Sequence, residues 1–340
     1  MRIRPFSVLK SKLNKKRIPL FISLEITNKC NLHCIHCYIP PDKRNLFMTL
    51  DRVKNVIEQV YEAGTLEVVI TGGEPLMHKD ILKILDYIIQ EKKMNVILFT
   101  NAVLLTPQLI DKLKEYPYFS LDITIYGFTG KTYLNVTGKE VRDIVFNNII
   151  LSKNKGLKLN LKMQLLKENY KEFEAVLDFS KKLGCPFRYS HFISPDWNGN
   201  KKIQKHLLAK SQLKSIINIT GDLVEYKDCA KIIESEVKKT SCSLAKSTAG
   251  ITAAGDLLPC ISMRLKTGNV FKKRFGMLWN DNEKLKELAD FSLTETRCFA
   301  KCKLKTDCFI CPGLAHSDNN GDFRKPFKQS CLFTKLRYER

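Results

Sequence analysis

The sequence predicts an α/β protein in which an array of strands and helices is followed by a smaller, cysteine-rich region. Between residues 20 and 193, six short apolar segments alternate with five amphipathic ones. That alternation is typical of parallel strands joined by helical crossovers. Beyond about residue 240 the pattern changes to short segments with Gly and Pro turns, and seven cysteines lie between residues 242 and 331.

The elements of the array follow one another in a regular order. The predicted strands are short and apolar, and they are Leu20–Ile26, Glu67–Thr71, Asn95–Thr100, Phe119–Ile125, Lys158–Leu165 and Phe187–Ile193. The predicted helices between them are Leu50–Ala63, Lys79–Glu91, Pro107–Tyr116, Val141–Lys155 and Lys171–Leu183. Helices between strands require parallel pairing, so six strands fit either an open doubly wound sheet or an incomplete barrel. Both arrangements place functional groups in the loops after the strands.

We divide the chain into four segments by composition. Residues 1–18 form a basic N-terminal arm, 19–195 the strand and helix array, 196–240 a polar, lysine-rich bridging region, and 241–340 the cysteine-rich region. The last segment has few periodic apolar runs, so we expect it to have little regular core of its own and to fold around metal.

Composition excludes several classes of protein. The chain has 340 residues, of which 44% are hydrophobic and 27% charged, which is ordinary for a globular protein and excludes a disordered chain or a fibre. No apolar stretch is long enough to span a membrane. The formal charge of +22 would attract acidic peptides, nucleic acids or anionic cofactors, or it is simply a solvated lysine-rich surface.

The cysteine count is the unusual feature of the composition. The basic N-terminus is not followed by a long apolar run or a small-residue cleavage site, so we expect a cytoplasmic protein. Thiols stay reduced in that compartment, and twelve cysteines there indicate metal binding or chemistry rather than disulfides.

Three cysteines follow the first predicted strand in the spacing C-x3-C-x2-C, at Cys30, Cys34 and Cys37. Structural zinc normally takes four ligands, which His33 or His36 could complete. Three thiolates on a four-iron cluster would instead leave one iron open for a substrate or cofactor. Spacing alone leaves both alternatives open.

Taken with the loops that follow, this cysteine motif resembles the signature of the radical S-adenosylmethionine (radical SAM) superfamily. His36 stands in the aromatic slot of the motif, which in that family packs near the adenine. The segment Thr71–Pro75 matches the family's GGEP segment, and Thr100-Asn101 matches its Thr-Asn-Gly, although Ala102 replaces the glycine. The resemblance implies cofactor-binding roles for the following residues: His36, Gly72, Gly73, Glu74, Asn101, Asp122, Lys162 and Gln164.

The same resemblance implies a fold and a mechanism. The array would be a partial (β/α)6 barrel, and Cys30, Cys34 and Cys37 would hold three irons of a [4Fe-4S] cluster. S-adenosylmethionine would chelate the fourth iron, and its reductive cleavage would yield a 5′-deoxyadenosyl radical that abstracts hydrogen from an unactivated C–H bond. The protein would position that bond and exclude water.

The C-terminal cysteines resemble the SPASM extension of radical SAM enzymes, a small, loop-rich domain with two auxiliary [4Fe-4S] clusters. That resemblance implies Cys242, Cys260 and Cys311 for the first auxiliary cluster. It implies four ligands for the second, namely Cys298, Cys302, Cys308 and Cys331. The middle run is C-x3-C-x5-C-x2-C, with the family's outer gaps exchanged. The alternative is a pair of zinc knuckles in a basic RNA-binding module.

Two cysteines remain outside these sets, and two polar residues follow the last strand. Cys185 precedes Pro186 and is predicted to be a small buried hydrophobe. Cys229 is a candidate fourth ligand of the first auxiliary cluster, a hydrogen-atom donor to a substrate radical, or a half-buried thiol. Asp196 and His191 are candidate catalytic bases near the substrate, or ordinary loop polarity.

These observations predict a maturase that modifies a ribosomally synthesised peptide, with cross-link formation favoured and epimerisation as the other outcome. Only 18 residues precede the array, so we expect no N-terminal winged-helix peptide-recognition domain. The expected partners are a precursor peptide, a separate peptide-recognition protein and an electron donor such as flavodoxin or ferredoxin, with no membrane and no nucleic acid. The alternatives are an anaerobic sulfatase-maturing or tetrapyrrole-modifying enzyme and the non-catalytic RNA binder.

Overall fold

The computed structural model describes residues 16–220, 242–304 and 308–339. Six parallel strands with intervening helices form the first part of the fold, which confirms the predicted α/β class. The strands are β1 (Phe21–Thr27), β2 (Glu67–Gly72), β3 (Asn95–Thr100), β4 (Phe119–Ile125), β5 (Leu159–Gln164) and β6 (Phe187–Ser190). Each pairs with its neighbour in chain order, so every crossover moves one strand along the sheet.

The crossover helices cover the outer face of this sheet. They are α1 (Leu50–Glu62), α2 (Ile81–Leu85), α3 (Pro107–Leu113), α4 (Gly130–Thr137), α5 (Arg142–Asn154) and α6 (Phe173–Lys182). Helix α4 was not anticipated from the sequence, because its eight residues carry a weak apolar period. Helix α2 continues into a π-helical turn, Asp86–Glu91. Thr49 caps α1 by accepting a hydrogen bond from the Arg52 amide at 3.4 Å.

The cysteine-rich region extends the same sheet. Strand β7 (Thr248–Ile251) pairs in parallel with β1, and β8 (Asp256–Leu258) and β9 (Gly268–Asn269) follow it antiparallel. The nine strands have the order β6-β5-β4-β3-β2-β1-β7-β8-β9. Strand β1, which leads into the first cysteine motif, therefore lies between the two parts of the protein.

The remaining helices lie around this extension and at the end of the chain. They are α7 (Lys210–Thr220), α8 (Phe275–Asp281), α9 (Glu283–Asp290), α10 (Arg297–Lys301), α11 (Pro312–Asp318) and α12 (Lys328–Tyr338). No helix among the described residues is long and apolar enough to cross a membrane.

We expected the region after residue 241 to have little regular core of its own, and its buried apolar side chains extend the core of the barrel. Phe275, Trp279, Leu285 and Leu288 are buried and belong to the same apolar core as the barrel strands. Strands β7 and β8 were not predicted from the sequence, because they are only four and three residues long. Cys185 is buried, as predicted.

Candidate active site

A cavity of about 820 Å³ opens at the carboxyl ends of the parallel strands. Its lining comes from the six parallel strands and the loops after β1 to β4, from residues 192–199 after β6, and from two C-terminal segments, residues 261–264 and 314–321. A volume of this size suits one drug-sized molecule with part of a second one. The barrel and the cysteine-rich region thus contribute to one site.

The first cysteine motif lies in the wall of this cavity. Cys30, Cys34 and Cys37 all line it, and the amide of Leu32 donates to the Cys30 sulfur at 3.5 Å. Burial raises the pKa of Cys30 to about 11 and that of Cys34 to about 12, and the neighbouring thiols add to both shifts. Three thiolates held together in this wall therefore need a cation to stabilise them.

The donor set fits an iron–sulfur cluster better than a single zinc ion. No three His, Cys, Asp or Glu side chains in the described part of the chain converge on one point as a metal ion requires. A tetrahedral zinc site needs such convergence. A four-iron cluster binds each thiolate through a different iron, so its ligands stand apart. The residues present therefore fit a [4Fe-4S] cluster with one open iron.

Gly72 and Gly73 hold the second loop against the cysteine loop. Gly72 has φ of +126°, and a Cβ on it would lie 2.0 Å from the Thr27 carbonyl oxygen. The amide of Gly73 donates to that oxygen at 2.7 Å, and the amide of Glu74 donates to the Lys29 carbonyl at 2.7 Å. The glycines are needed because two backbones meet here.

Glu74 organises the third loop. Its Oε1 accepts from the Thr100 hydroxyl at 2.8 Å and its Oε2 accepts from the Asn101 amide at 2.7 Å. Burial nevertheless raises the pKa of Glu74 to about 7. Asn101 in turn donates to Asn31 at 2.8 Å, beside Cys30. Ala102 has φ of +63°, the left-handed conformation that the family's glycine would adopt freely.

Asp122 is the centre of a buried charge cluster at the base of the cavity. It is 1% exposed, accepts from Asn160 at 2.7 Å and from Arg188 at 2.9 Å, and lies 3.4 Å from the Lys162 ammonium. Burial lowers the pKa of Lys162 to about 8, and the ammonium lies 3.0 Å from the centre of the Phe99 ring. Lys162 and Arg188 therefore both form ion pairs with Asp122.

Two other predicted cofactor residues also line the cavity. Gln164 donates to the Phe192 carbonyl at 3.1 Å and joins β5 to the loop after β6. The His36 ring centre lies 5.9 Å from that of Tyr126, and its buried Nδ1 has no hydrogen-bond partner among the described residues. Burial lowers the pKa of His36 to about 4, so its ring is neutral at pH 7.

The three predicted catalytic residues have different positions. Asp196 lines the cavity, but its Oδ1 accepts from the amides of Asn198 and Asn200, each at 2.9 Å, and so holds its own turn. His191 is not brought to the cavity: it is buried, stacks on Phe333 at 4.1 Å, and burial lowers its pKa to about 3. Cys229 lies outside the described residues.

The C-terminal cysteines form two separate groups. The charges of Cys311 and Cys242 both act on Cys260, adding to the effect of burial, which raises its pKa. Cys331 is hydrogen-bonded to Cys308 and experiences the charges of Cys298 and Cys302. Sulfurs that influence one another in sets of three and four have the grouping that two auxiliary clusters would need.

Sequence reasoning missed one cluster that joins the two parts of the protein. Glu25 on β1 is fully buried and accepts two hydrogen bonds from Arg264, at 3.1 and 2.5 Å. The Arg264 guanidinium lies over the Trp197 ring at 4.0 Å and the Tyr38 ring at 5.5 Å. A glutamate inside the apolar run FISLEIT was the available signal, because such a carboxylate needs a partner.

Comparison with known families matches both parts of the chain. The Radical SAM superfamily model matches residues 24–180, and the model of the SPASM iron–sulfur cluster-binding domain matches residues 242–312. The first range contains the three-cysteine loop and the strands that surround the cavity. The second contains six of the seven C-terminal cysteines.

The chain is also similar to three individual proteins. The AdoMet-dependent heme synthase of Methanosarcina barkeri is 23% identical over 90% of this chain and 94% of its own length. The subtilosin biosynthesis protein AlbA of Bacillus subtilis is 23% identical over 81% of this chain, which spans 62% of AlbA. SuiB of Streptococcus suis, crystallised with its precursor peptide SuiA, has a TM-score of 0.63 at 18% identity, over 92% of this chain and 78% of SuiB. At 18% identity, the similarity to SuiB shows a shared fold and nothing more.

Proposed function

This chain belongs to the radical SAM superfamily and carries a SPASM domain, and from that premise we propose that it modifies a ribosomally synthesised peptide after translation. The modification we favour is a cross-link between two residues, with epimerisation as the other outcome of the test below. The observation that carries the proposal is the cavity, in which the three-cysteine loop faces residues of the SPASM domain across one open space.

The charges in the cavity favour a peptide over a tetrapyrrole. Four cationic side chains line it. Lys162 and Arg188 are paired with Asp122, and Arg264 is paired with Glu25. Only Arg44 has no carboxylate partner in the described part of the chain. A tetrapyrrole bears several carboxylates that each need a cation, whereas a peptide backbone needs only hydrogen-bond partners.

The size of the cavity supports the same choice. S-adenosylmethionine would use the half lined by Cys30, Glu74 and Asn101. The rest of about 820 Å³ leaves room for one or two side chains of a peptide that continues out through the mouth. A whole tetrapyrrole would have to share that space with the cofactor.

The residues proposed for the cofactors have distinct tasks. Cys30, Cys34 and Cys37 would hold the cluster, and His36, Asn101 and Asp122 would shape the cofactor pocket together with the other predicted residues. The bound cluster and S-adenosylmethionine supply the radical that removes hydrogen from the substrate. This chain's own residues exclude water and hold the substrate in position.

We propose two auxiliary [4Fe-4S] clusters in addition. Cys242, Cys260 and Cys311 would hold the first, with Cys229 or a substrate thiolate as its fourth ligand. The second would use Cys298, Cys302, Cys308 and Cys331. Loss of iron in Cys229→Ala would favour the ligand role. Unchanged iron with S-adenosylmethionine cleavage but no product would favour the hydrogen-donor role, and wild-type behaviour in both respects would exclude both roles.

The test of function is co-expression with each small open reading frame beside the gene, followed by mass spectrometry of the peptides. A cross-link removes one hydrogen from each of two residues, so the product is lighter by two hydrogens. An epimer keeps its mass in water and gains one deuterium in D2O. If 5′-deoxyadenosine forms but no peptide changes in either way, the proposal fails.

The cluster assignment needs its own control. Replacing Cys30, Cys34 and Cys37 by Ala should abolish 5′-deoxyadenosine formation while the iron bound by the SPASM cysteines remains. Cys185→Ala is the matched control, because this thiol is buried beside α6, away from the cavity. Undiminished cleavage in the triple variant would overturn the assignment.

A tetrapyrrole-modifying activity is the second candidate. The observation in its favour is the heme synthase relative, whose likeness runs along 90% of this chain. Incubating the reduced enzyme with iron coproporphyrin and S-adenosylmethionine tests it directly, because a change in the tetrapyrrole alters its mass and its visible spectrum. The interpretation as a non-catalytic RNA binder is set aside by membership of an enzyme superfamily.

A further inference from the structure

The wall of the cavity opposite the barrel contains polar groups that have no partner among the described residues. Most polar groups of the barrel half, among them Glu74 and Asp122, are satisfied by hydrogen bonds within the protein. The opposite wall is made by residues 193–199, 261–264 and 314–321. Buried polar groups normally have partners, so unpartnered ones in a cavity wall point to a ligand.

Trp197 presents one such group. Its indole Nε1 is buried and has no hydrogen-bond partner among the described residues. The position of the ring is fixed, because Arg264 packs on its face at 4.0 Å and the Trp197 amide donates to the Tyr38 carbonyl at 3.0 Å. An indole N–H can only donate, so its partner must be an acceptor.

Arg264 adds further donors at the same place. A guanidinium has five N–H groups, and two of them bond to the Glu25 carboxylate. The others have no acceptor in the described part of the chain, and the side chain lines the cavity. Because the charge is already balanced by Glu25, Arg264 suits a neutral acceptor as well as an anion.

His316 supplies the third group. It lies on α11, lines the cavity, and its buried Nδ1 has no partner among the residues described. Burial lowers the pKa of His316, with a smaller contribution from Lys284. A neutral imidazole has one donor and one acceptor nitrogen, so this residue can also receive an N–H.

We propose that Trp197, Arg264 and His316 form a subsite that binds the backbone of the peptide substrate. An extended backbone presents carbonyl acceptors and N–H donors at short intervals. Its carbonyl groups can accept from Trp197 and Arg264, and an N–H group can donate to the imidazole of His316. The subsite holds the peptide against the barrel half, where the cofactor residues lie. This inference rests on the proposed function and names the recognition chemistry of that same site.

The test is the affinity of the iron-loaded enzyme for a peptide, measured anaerobically with S-adenosylmethionine and without reductant, so that no turnover occurs. The probe is a fluorescein-labelled synthetic copy of the peptide found to be modified on co-expression, followed by anisotropy. Trp197→Phe and His316→Phe each remove a hydrogen-bonding atom and keep an aromatic ring. We expect each to weaken binding roughly three- to tenfold.

Trp279→Phe is the matched control. The chain has two tryptophans, and the indole of Trp279 donates to the Arg17 carbonyl away from the cavity. Its removal should leave peptide affinity within twofold of wild type. The affinity for S-adenosylmethionine, measured by equilibrium dialysis, should be unchanged in all three variants.

Several outcomes would overturn the proposal. Wild-type peptide affinity in both Trp197→Phe and His316→Phe would exclude the subsite even if the peptide is modified. A loss of S-adenosylmethionine affinity would assign these atoms to the cofactor instead. If no peptide is modified and iron coproporphyrin is, the proposed function itself fails, and that result is distinct from the other two.

Discussion

Gly73 lies so close to Lys29 that a Cβ on the glycine would stand 2.2 Å from the lysine's carbonyl oxygen. The second loop of the barrel therefore rests directly on the backbone that leads into Cys30. Because backbone cannot move aside as a flexible side chain can, the position of the cysteine loop depends on the absence of a side chain at residue 73.

Gly73→Ala should therefore separate the two loops. We expect the free energy of unfolding to fall by about 2 kcal/mol or more and the iron of the radical SAM cluster to be lost first. Gly276→Ala is the control, since a Cβ there meets no atom of the described residues within 4 Å. Anaerobic iron assay and chemical denaturation check both. Full iron content and stability in Gly73→Ala would contradict the close contact.

The glycine pair illustrates what the sequence could and could not predict. The motif at Thr71–Pro75 located the loop correctly, at the end of β2 and beside the cavity. Its physical role could not be read from the motif, because it depends on the Thr27–Lys29 backbone on another strand end. Local patterns predict which segments form loops, whereas contacts between distant segments need the three-dimensional structure.

Ala102 provides a second prediction, because it has φ of +63° at the position where the Thr-Asn-Gly motif has glycine. Glycine would relieve the strain of the left-handed backbone, a gain of about 1–2 kcal/mol. It would also remove a buried methyl group and give the unfolded chain more conformational freedom, and these two losses together are about as large as the gain. Ala102→Gly should thus be nearly neutral. Ala249→Gly, in the buried strand β7, should cost about 1.5 kcal/mol. Equal losses in chemical denaturation would contradict this.

The alternation of strands and helices was predictable because every barrel element except α4 has a clear apolar period of its own. Strands β3 and β4 have the predicted bounds, and the others differ by no more than three residues at either end. The ion pair of Glu25 with Arg264 was not predictable, because the two residues are 239 positions apart. Nor was the extension of the sheet by β7, since a strand of four residues has too few positions to show a period.

The Asp122 cluster predicts an unusual titration. Burial lowers the pKa of Lys162, Asp122 opposes that shift and Arg188 adds to it, and together they bring the pKa to about 8. The amine should therefore become reactive toward an acylating reagent as the pH rises through about 8, well below the pH that an ordinary lysine requires. Peptide mapping after labelling at a series of pH values measures this midpoint.

Asp122→Asn is the control for that titration. Removing the carboxylate removes the charge that stabilises the ammonium, so the midpoint for Lys162 should move to lower pH by roughly one unit. A midpoint that stays near 8 in the variant would show that Asp122 does not act on Lys162. A wild-type midpoint above 10 would contradict the burial of the amine.

The last prediction concerns which part of the SPASM domain depends on metal. Strand β7 is paired with β1, and Phe275 and Trp279 belong to the main core, so packing supports residues 248–290 even though Cys260 is a proposed cluster ligand. Among the described residues from 292 to 311, by contrast, no apolar side chain is buried, and Cys298, Cys302 and Cys308 lie there. Such a segment gains its order from bound metal rather than from a core.

Stripping iron under anaerobic conditions should therefore make residues 292–311 the first site of cleavage by a low concentration of trypsin. Lys301 and Lys303 lie in this segment and provide exposed cleavage sites. Lysines 272 and 273, which are equally exposed but border the packed helix α8, are the matched control and should resist until the whole chain unfolds. Mass spectrometry of the early fragments identifies the cut. Early cleavage at both places would mean that the entire domain folds on its clusters, and equal resistance of the iron-free and iron-loaded protein would mean that neither part does.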